Sequence, residues 1–370
     1  METSELIDEI VLGEQFDIYQ ENKEKLLLNI ILQQLEHNKS NLNIKAMYDK
    51  LGIDTSNIKT LEQVPYIPVN MFKYFDLMIC KQDLVVRVLR SSATTTGIPS
   101  KIYLDKRTAI RQTQGLISTL TSFLGGKRRP MLIVDCADSN KRGDSITARG
   151  AAIRGISTFG SKIFYVMDNE KGELKLNIGR LLEFERMYEG EEILVYGFTY
   201  ILWSKFLKQL KLEGIELNLP KLKMLHSGGW KKLISEKVEK EVFSETAAQI
   251  FNTNATNIID FYGMVEQVGV VFIDCQYGHK HVPDFAEIII RNVQTLEEVK
   301  FGESGLIEVM SILGSSYPSQ AILTEDIGEY IGVDDCPCGR HGKYFKFKSR
   351  VDKAETRGCG DTFAERQVGR

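Results

Sequence analysis

Leu89-Arg90-Ser91-Ser92-Ala93-Thr94-Thr95-Thr96-Gly97-Ile98-Pro99-Ser100-Lys101 decides how this chain is read: five hydroxyl side chains in six positions, then a glycine, a proline and a lysine. The apolar run that leads in, Leu84 to Leu89, has the character of a strand. A segment offering hydroxyls, free backbone N–H groups and an ammonium to one spot suits a polyphosphate. It is not the P-loop, which needs Gly-x-x-x-x-Gly-Lys-Ser/Thr. A Ser/Thr-rich surface loop has the same composition, so the surroundings must decide.

Working outward, residues 3 to 53 carry helix-like apolar spacing (Leu6, Ile7, Ile10, Val11, then Leu26 to Leu35) and predict a helical N-terminal region over 1–60. Val64-Pro65-Tyr66-Ile67-Pro68 is extended, because each proline restrains its predecessor. Beyond the hydroxyl loop, strand-like and helix-like pieces alternate. Strands are expected at 102–104, 131–134, 163–167 and 193–196, and helices at 108–123, 148–159, 174–188 and 200–211. That alternation predicts an α/β fold with mostly parallel sheets, here a core over 61–285. From Ala286 the texture changes to short β-like pieces, 287–292, 305–310, 321–324 and 344–348, which define a β-rich subdomain over 286–370.

Bulk properties narrow the classes. At 370 residues and 43% hydrophobic, the chain can bury one large or two moderate cores. A net charge of −3 with no basic stripe argues against a dedicated nucleic-acid binder. No apolar run reaches transmembrane length, so no membrane insertion is expected. The start, Met-Glu-Thr-Ser-Glu-Leu-Ile-Asp-Glu, lacks the basic residues of a signal peptide. A cytoplasmic location is expected, where the six cysteines are thiols or metal ligands rather than disulfides.

Three further segments carry chemistry. In Asp260-Phe261-Tyr262-Gly263-Met264-Val265-Glu266-Gln267, an aromatic-Gly turn can lay a ring against a flat heterocycle, and Glu266 can reach a divalent cation bound to phosphate. Leu225-His226-Ser227-Gly228-Gly229-Trp230-Lys231 ends a strand in paired glycines, where backbone can approach a ligand closely. Leu323-Thr324-Glu325-Asp326-Ile327-Gly328 puts a carboxylate at a strand end, suited to both hydroxyls of a ribose. Each also reads as an ordinary turn when taken alone.

Their order and spacing resemble the adenylate-forming ligases. The resemblance implies that Ser91, Ser92, Thr94, Thr95, Thr96, Gly97 and Lys101 hold the phosphates of ATP, and that Gly228, Gly229, Tyr262 and Gly263 frame the base. Glu266 would bind Mg2+, with Asp326 and Arg350 on the ribose. Two positions depart from the pattern: Ala93 stands where glycine is usual, and Glu325 where the turn often has glycine. Ile67-Pro68-Val69-Asn70-Met71-Phe72-Lys73, Gly228-Gly229-Trp230-Lys231, Lys280-His281-Val282-Pro283 and Ser316-Tyr317-Pro318 resemble one branch, the acyl-protein synthetases of the bacterial luminescence fatty-acid reductase complex. Phenylacetate–CoA ligase is a more distant relative. The large-domain fold of that superfamily is expected, without its small C-terminal domain because the chain stops at Arg370.

The resemblance also implies an acyl acceptor thiol at Cys359, in Thr356-Arg357-Gly358-Cys359-Gly360-Asp361. Arg357 and Lys353 could favour the thiolate, and the flanking glycines leave the sulfur reachable. Cys275 with His279 and His281, and Cys336-Pro337-Cys338, fit a tetrahedral Cys₃His site for a structural zinc (Zn2+). The pattern in phenylacetate–CoA ligase relatives selects His281 with Cys275, Cys336 and Cys338, although His281 also belongs to the Lys-His-Val-Pro motif.

The expected function is an ATP-dependent acyl-protein synthetase. It would activate a carboxylic-acid substrate, a fatty acid, and pass the acyl group through Cys359 to a partner protein, an acyl reductase or acyl carrier. A coenzyme A or carrier-protein ligase is a second reading, and a non-catalytic scaffold subunit a third. Tyr196 to Trp203, aromatic residues at a strand-to-helix turn, are where an acyl pocket is expected.

Overall fold

The computed structural model describes residues 3–91, 98–140, 148–229 and 236–351. Its contacts divide the chain into two compact units, one of residues 1–119, 264–271 and 277–370, the other of residues 120–263 and 272–276.

The second unit is built on parallel strands, as the alternation predicts. Ile193–Phe198 pairs in parallel with Arg129–Ile133 on one side and Leu222–Ser227 on the other. Gly160–Tyr165 and Ile258–Gly263 extend the set outward, again in parallel. Ile193 to Tyr196 are all buried, the continuous apolar run of a strand covered on both faces. Helices Ile178–Met187 and Lys240–Phe251 bury Phe184, Phe243 and Phe251 against these strands. Gly197 is where strand and following helix come closest: a Cβ there would lie 2.9 Å from Leu202 Cγ.

One expected helix is shorter than its spacing suggests. Glu173–Leu176 is a strand, antiparallel to Met167–Glu170, and the helix starts only at Ile178. Lys171 (φ 52°) and Gly172 (φ 91°) turn the hairpin, and the Asn177 side chain accepts from Arg180 N at 2.9 Å to begin the helix. Leu174 and Leu176 both pack on the core. Leu174 and Leu176, two apart, share one face of a strand, whereas Leu174 and Ile178, four apart, have the spacing of a helix.

In the first unit, helices Thr3–Leu12, Gln20–Asn38 and Leu42–Leu51 occupy the region whose spacing predicts them. The β-like pieces after Ala286 form an antiparallel run in the order Ala286–Arg291, Ser304–Ser311, Ala321–Val333, Lys343–Arg350. Lys280–His281 pairs with the last of these, and Ile67–Pro68 lies parallel to Ala321–Val333. Helix Gln20–Asn38 buries polar as well as apolar side chains. Lys23 meets Glu287 at 3.7 Å, Gln34 donates to Ile312 O at 3.0 Å, and Asn38 donates to Gln320 Oε1 at 2.6 Å. Buried charge and amide are tolerated because each has such a partner.

The hydroxyl segment joins two antiparallel strands, Val85–Arg90 and Lys101–Asp105, with Arg90 opposite Lys101. It is the connection of a hairpin, not a strand-to-helix turn of the parallel sheet. No helix among the described residues is long and apolar enough to cross a membrane.

Candidate active site and Cys/His cluster

The first unit gathers most of the expected nucleotide-binding residues. At the base of the hairpin connection, Ser91 N donates to Ser100 O at 3.2 Å and Ser100 N to Ser91 Oγ at 2.9 Å. Ser92, Thr94, Thr95, Thr96 and Gly97 lie outside the described residues. Lys101, first in the returning strand, reaches Asp76 at 3.8 Å, and the Tyr103 hydroxyl donates to the same carboxylate at 2.7 Å. Asp76 has no motif around it, and sequence reasoning missed it.

Glu266 is buried, 6% exposed. Burial holds its carboxyl above the usual range, opposed by the Ser100 hydroxyl and by the positive charges of Lys73 and Arg350. A carboxylate whose ionised form burial disfavours gains from a divalent cation placed beside it. Lys73 closes the Ile67–Lys73 motif, so its signal stood in the sequence without a role attached.

Asp326 is 4% exposed and stands directly across the antiparallel ladder from Arg350. Arg350 Nε lies 2.9 Å from Asp326 Oδ1, with the arginine side chain largely in solvent. Asp326 N donates to Thr324 Oγ1 at 3.1 Å within the strand Ala321–Val333, so the carboxylate expected at a strand end stands mid-strand, because the strand runs on past it to Val333. Val351 N donates to Glu325 O at 2.9 Å, tying the far end of the last strand to this one. Cys359 lies outside the described residues.

In the second unit, the expected base-framing residues stand at the carboxyl ends of adjacent parallel strands, where ligands of such sheets bind. Phe198, Ser227 and Phe261 share one row across three strands. Gly228 has φ +90°, and a Cβ there would lie 3.1 Å from the Phe198 ring, so the turn needs glycine twice over. Gly229 follows it. Tyr262, just before Gly263, stacks on Phe272 with centroids 5.9 Å apart. His226 is buried with Nδ1 3.0 Å from the Thr199 hydroxyl and 3.6 Å from Asp260, a polar group that sequence spacing did not single out.

In the first unit, the ligand atoms of His281, Cys336 and Cys338 all lie within 4.8 Å of one another, while Cys275 falls in the other unit. His281 Nε2 is 3.2 Å from Cys338 Sγ, and His279 Nδ1 is 3.4 Å from Cys336 Sγ. Burial, with the charges of Arg340, His279 and Lys23, lowers His281 to about 3, so its ring is neutral, the form that ligates metal. Burial acts to raise the Cys338 thiol, but the Arg340 backbone N–H, Cys336 and the Arg340 guanidinium outweigh it and hold the thiol below its usual range.

Segment 15–23 wraps this cluster, which sequence reasoning did not foresee. His341 N donates to Phe16 O at 3.0 Å, and Phe16 stands edge-on to His281 at 6.1 Å. Gln20 N and Gly342 N both donate to Asp334, at 3.0 and 2.7 Å.

Solved structures share this architecture. 2-Hydroxyisobutyryl-CoA ligase, in an open conformation with 2-HIB-AMP and CoA, matches with a TM-score of 0.64 at 15% identity, covering 89% of this chain and 75% of that one. The fold is therefore that of the adenylate-forming ligases. Over residues 1–368 the chain matches the family described as Acyl-protein synthetase, LuxE. It belongs to that family of acyl-activating enzymes. Two relatives are long-chain-fatty-acid–luciferin-component ligases. The one from Aliivibrio fischeri is 23% identical over 319 residues, 84% of this chain and 80% of the relative. The one from Vibrio harveyi is 22% identical over 329 residues, 87% of this chain and 83% of the relative.

Proposed function

We propose that this chain uses ATP and Mg2+ to convert a carboxylic acid, a long-chain fatty acid as in the relatives' name, into an acyl-adenylate. The acyl group then passes to Cys359 and on to an acyl reductase partner. The carrying observation is the grouping in one unit of two buried carboxylates, Glu266 and Asp326, with Arg350 and Lys73, near the foot of the hydroxyl segment.

The acid is already ionised near neutral pH, so its attack on the α-phosphorus needs no general base. The protein's task is alignment and charge neutralisation. Lys101 and the hydroxyl segment would take the phosphates, Asp326 and Arg350 the ribose, and Tyr262 with Gly228 the base. Glu266 would hold Mg2+, which offsets charge on the phosphates when bound. Position supports Cys359 as acceptor: from Val351, bonded beside Asp326, the chain to Cys359 reaches at most about 27 Å.

Cys275, His281, Cys336 and Cys338 would hold one structural zinc; three thiols and a neutral imidazole are a donor set that suits it. The deciding experiment is ATP–pyrophosphate exchange across a panel of carboxylic acids. Exchange with long-chain acids is expected, followed by hydroxylamine-labile label that Cys359→Ser abolishes. Absence of exchange with every acid sinks the activation step, and label retained by Cys359→Ser sinks the acceptor. Thioester formation that depends on coenzyme A would replace the partner reading.

A further inference from the structure

Ser316-Tyr317-Pro318 is a motif without a role in the chemistry above, yet it touches the backbone of Glu266. Tyr317 is 1% exposed, and its hydroxyl donates to Glu266 O at 2.9 Å. The Tyr317 hydroxyl oxygen in turn accepts from Gln112 Nε2 at 3.1 Å. The phenol thus links a helix, Lys106–Leu124, to the turn that carries the carboxylate.

That helix is fastened to both sides of the turn. Thr108, one turn before Gln112, accepts from Ser315 N at 3.2 Å, which holds the strand of residues leading to Tyr317. Ser316 Oγ donates to Tyr103 O at 2.8 Å, on the strand that begins with Lys101. Gly269, three residues after Glu266, has φ +92° and lies so near the helix that a Cβ would sit 2.5 Å from Gln112 O. Phe72, of the Ile67–Lys73 motif, meets the Tyr317 ring edge-on at 6.2 Å. The contacts run from the strand of Lys101 through Ser316 and Tyr317 to Glu266, and the helix joins the same phenol through Gln112.

We propose that Tyr317 is a positioning residue for Glu266: held by Gln112, its phenol fixes the main chain of the turn so that the carboxylate meets the nucleotide's magnesium in one geometry. The inference rests on the reading of Glu266 as the magnesium ligand. Mg2+ is exacting about geometry, and a ligand displaced by a fraction of an ångström loses much of its value. The ring fills the core, but only the hydroxyl touches Glu266. Tyr317→Phe therefore separates packing from positioning.

The test pairs the Mg2+ requirement of ATP–pyrophosphate exchange, measured on the full chain with its best acid, with calorimetric titration of Mg2+ into the ATP-bound chain, where the same rise in the Mg2+ dissociation constant is expected. For Tyr317→Phe, the Mg2+ needed for half-maximal exchange rises about fivefold, the value of one net hydrogen bond. The rate at saturating Mg2+ stays within about twofold, as expected when only ligand placement has loosened. An unchanged Mg2+ requirement, or a rate lowered equally at every Mg2+ concentration, overturns the positioning role. Should Tyr317→Phe not fold, Gln112→Met replaces it, with a smaller rise expected and the same two results counting against it. Glu266→Gln runs alongside. If it keeps the wild-type Mg2+ requirement, the reading of Glu266 itself fails. If it loses exchange while Tyr317→Phe behaves as wild type, only the positioning role fails.

Discussion

Glu266 and Asp326 show how differently two buried carboxylates can be placed. Asp326 has Arg350 across the ladder at 2.9 Å, whereas Glu266 is left with burial as the largest influence on its titration. Glu266→Gln should lower exchange by roughly 100-fold, because a neutral amide cannot meet the charge that catalysis requires there. Asp326→Asn should raise the KM for ATP by about tenfold with little change in kcat, the loss of one charge-assisted hydrogen bond to a bound ribose. Both are read from steady-state exchange. At the cluster, His281 has a lowered folded pKa of about 3 against an ordinary 6.5, so the unfolded state takes up its proton first. In metal-free protein the resulting stability is present above about pH 6.5 and is lost as pH falls towards about 3. Urea unfolding of the metal-free chain across that range should show the slope, and His281→Gln should reduce it.

Among the elements, helix Lys106–Leu124 and the turn after Glu266 depend on one glycine. Gly269→Ala would force a side chain into φ +92° with a Cβ 2.5 Å from Gln112 O. A cost of about 3 kcal/mol is expected from backbone strain and overlap together, seen as a lower urea midpoint with an unchanged slope. Most elements were legible in the sequence, since apolar runs such as Ile193–Tyr196 and the spacing through Leu26–Leu35 each suit one period. Leu174 to Leu176 was expected in the helix because Leu174 stands four residues before Ile178, yet Leu174 and Leu176, two apart, follow the period of the strand they form. Asp76, which meets both Lys101 and Tyr103, was invisible, because it faces them only once the hairpin and the segment before it have folded.

For the molecule as a whole, the first unit holds its helix Gln20–Asn38 by polar contacts as much as by apolar ones. Lys23 and Glu287, both fully buried, form one ion pair of that interface. Lys23→Met should cost about 3–5 kcal/mol by stranding Glu287, and adding Glu287→Met should recover most of it, as a double-mutant cycle in urea would measure. The sequence by itself determined the α/β class, the β-rich region after Ala286 and the kinds of residue that could bind a nucleotide. Those properties follow from local periodicity and from the chemistry of single side chains. Tertiary structure alone decided that Glu266 is buried beside Ser100 and held by Tyr317. It also decided that Phe16 and Gln20 close over His341 and Gly342. Those pairings join residues dozens to hundreds of positions apart, and such contacts are selected by packing and hydrogen-bond satisfaction across the folded chain, which no local pattern encodes.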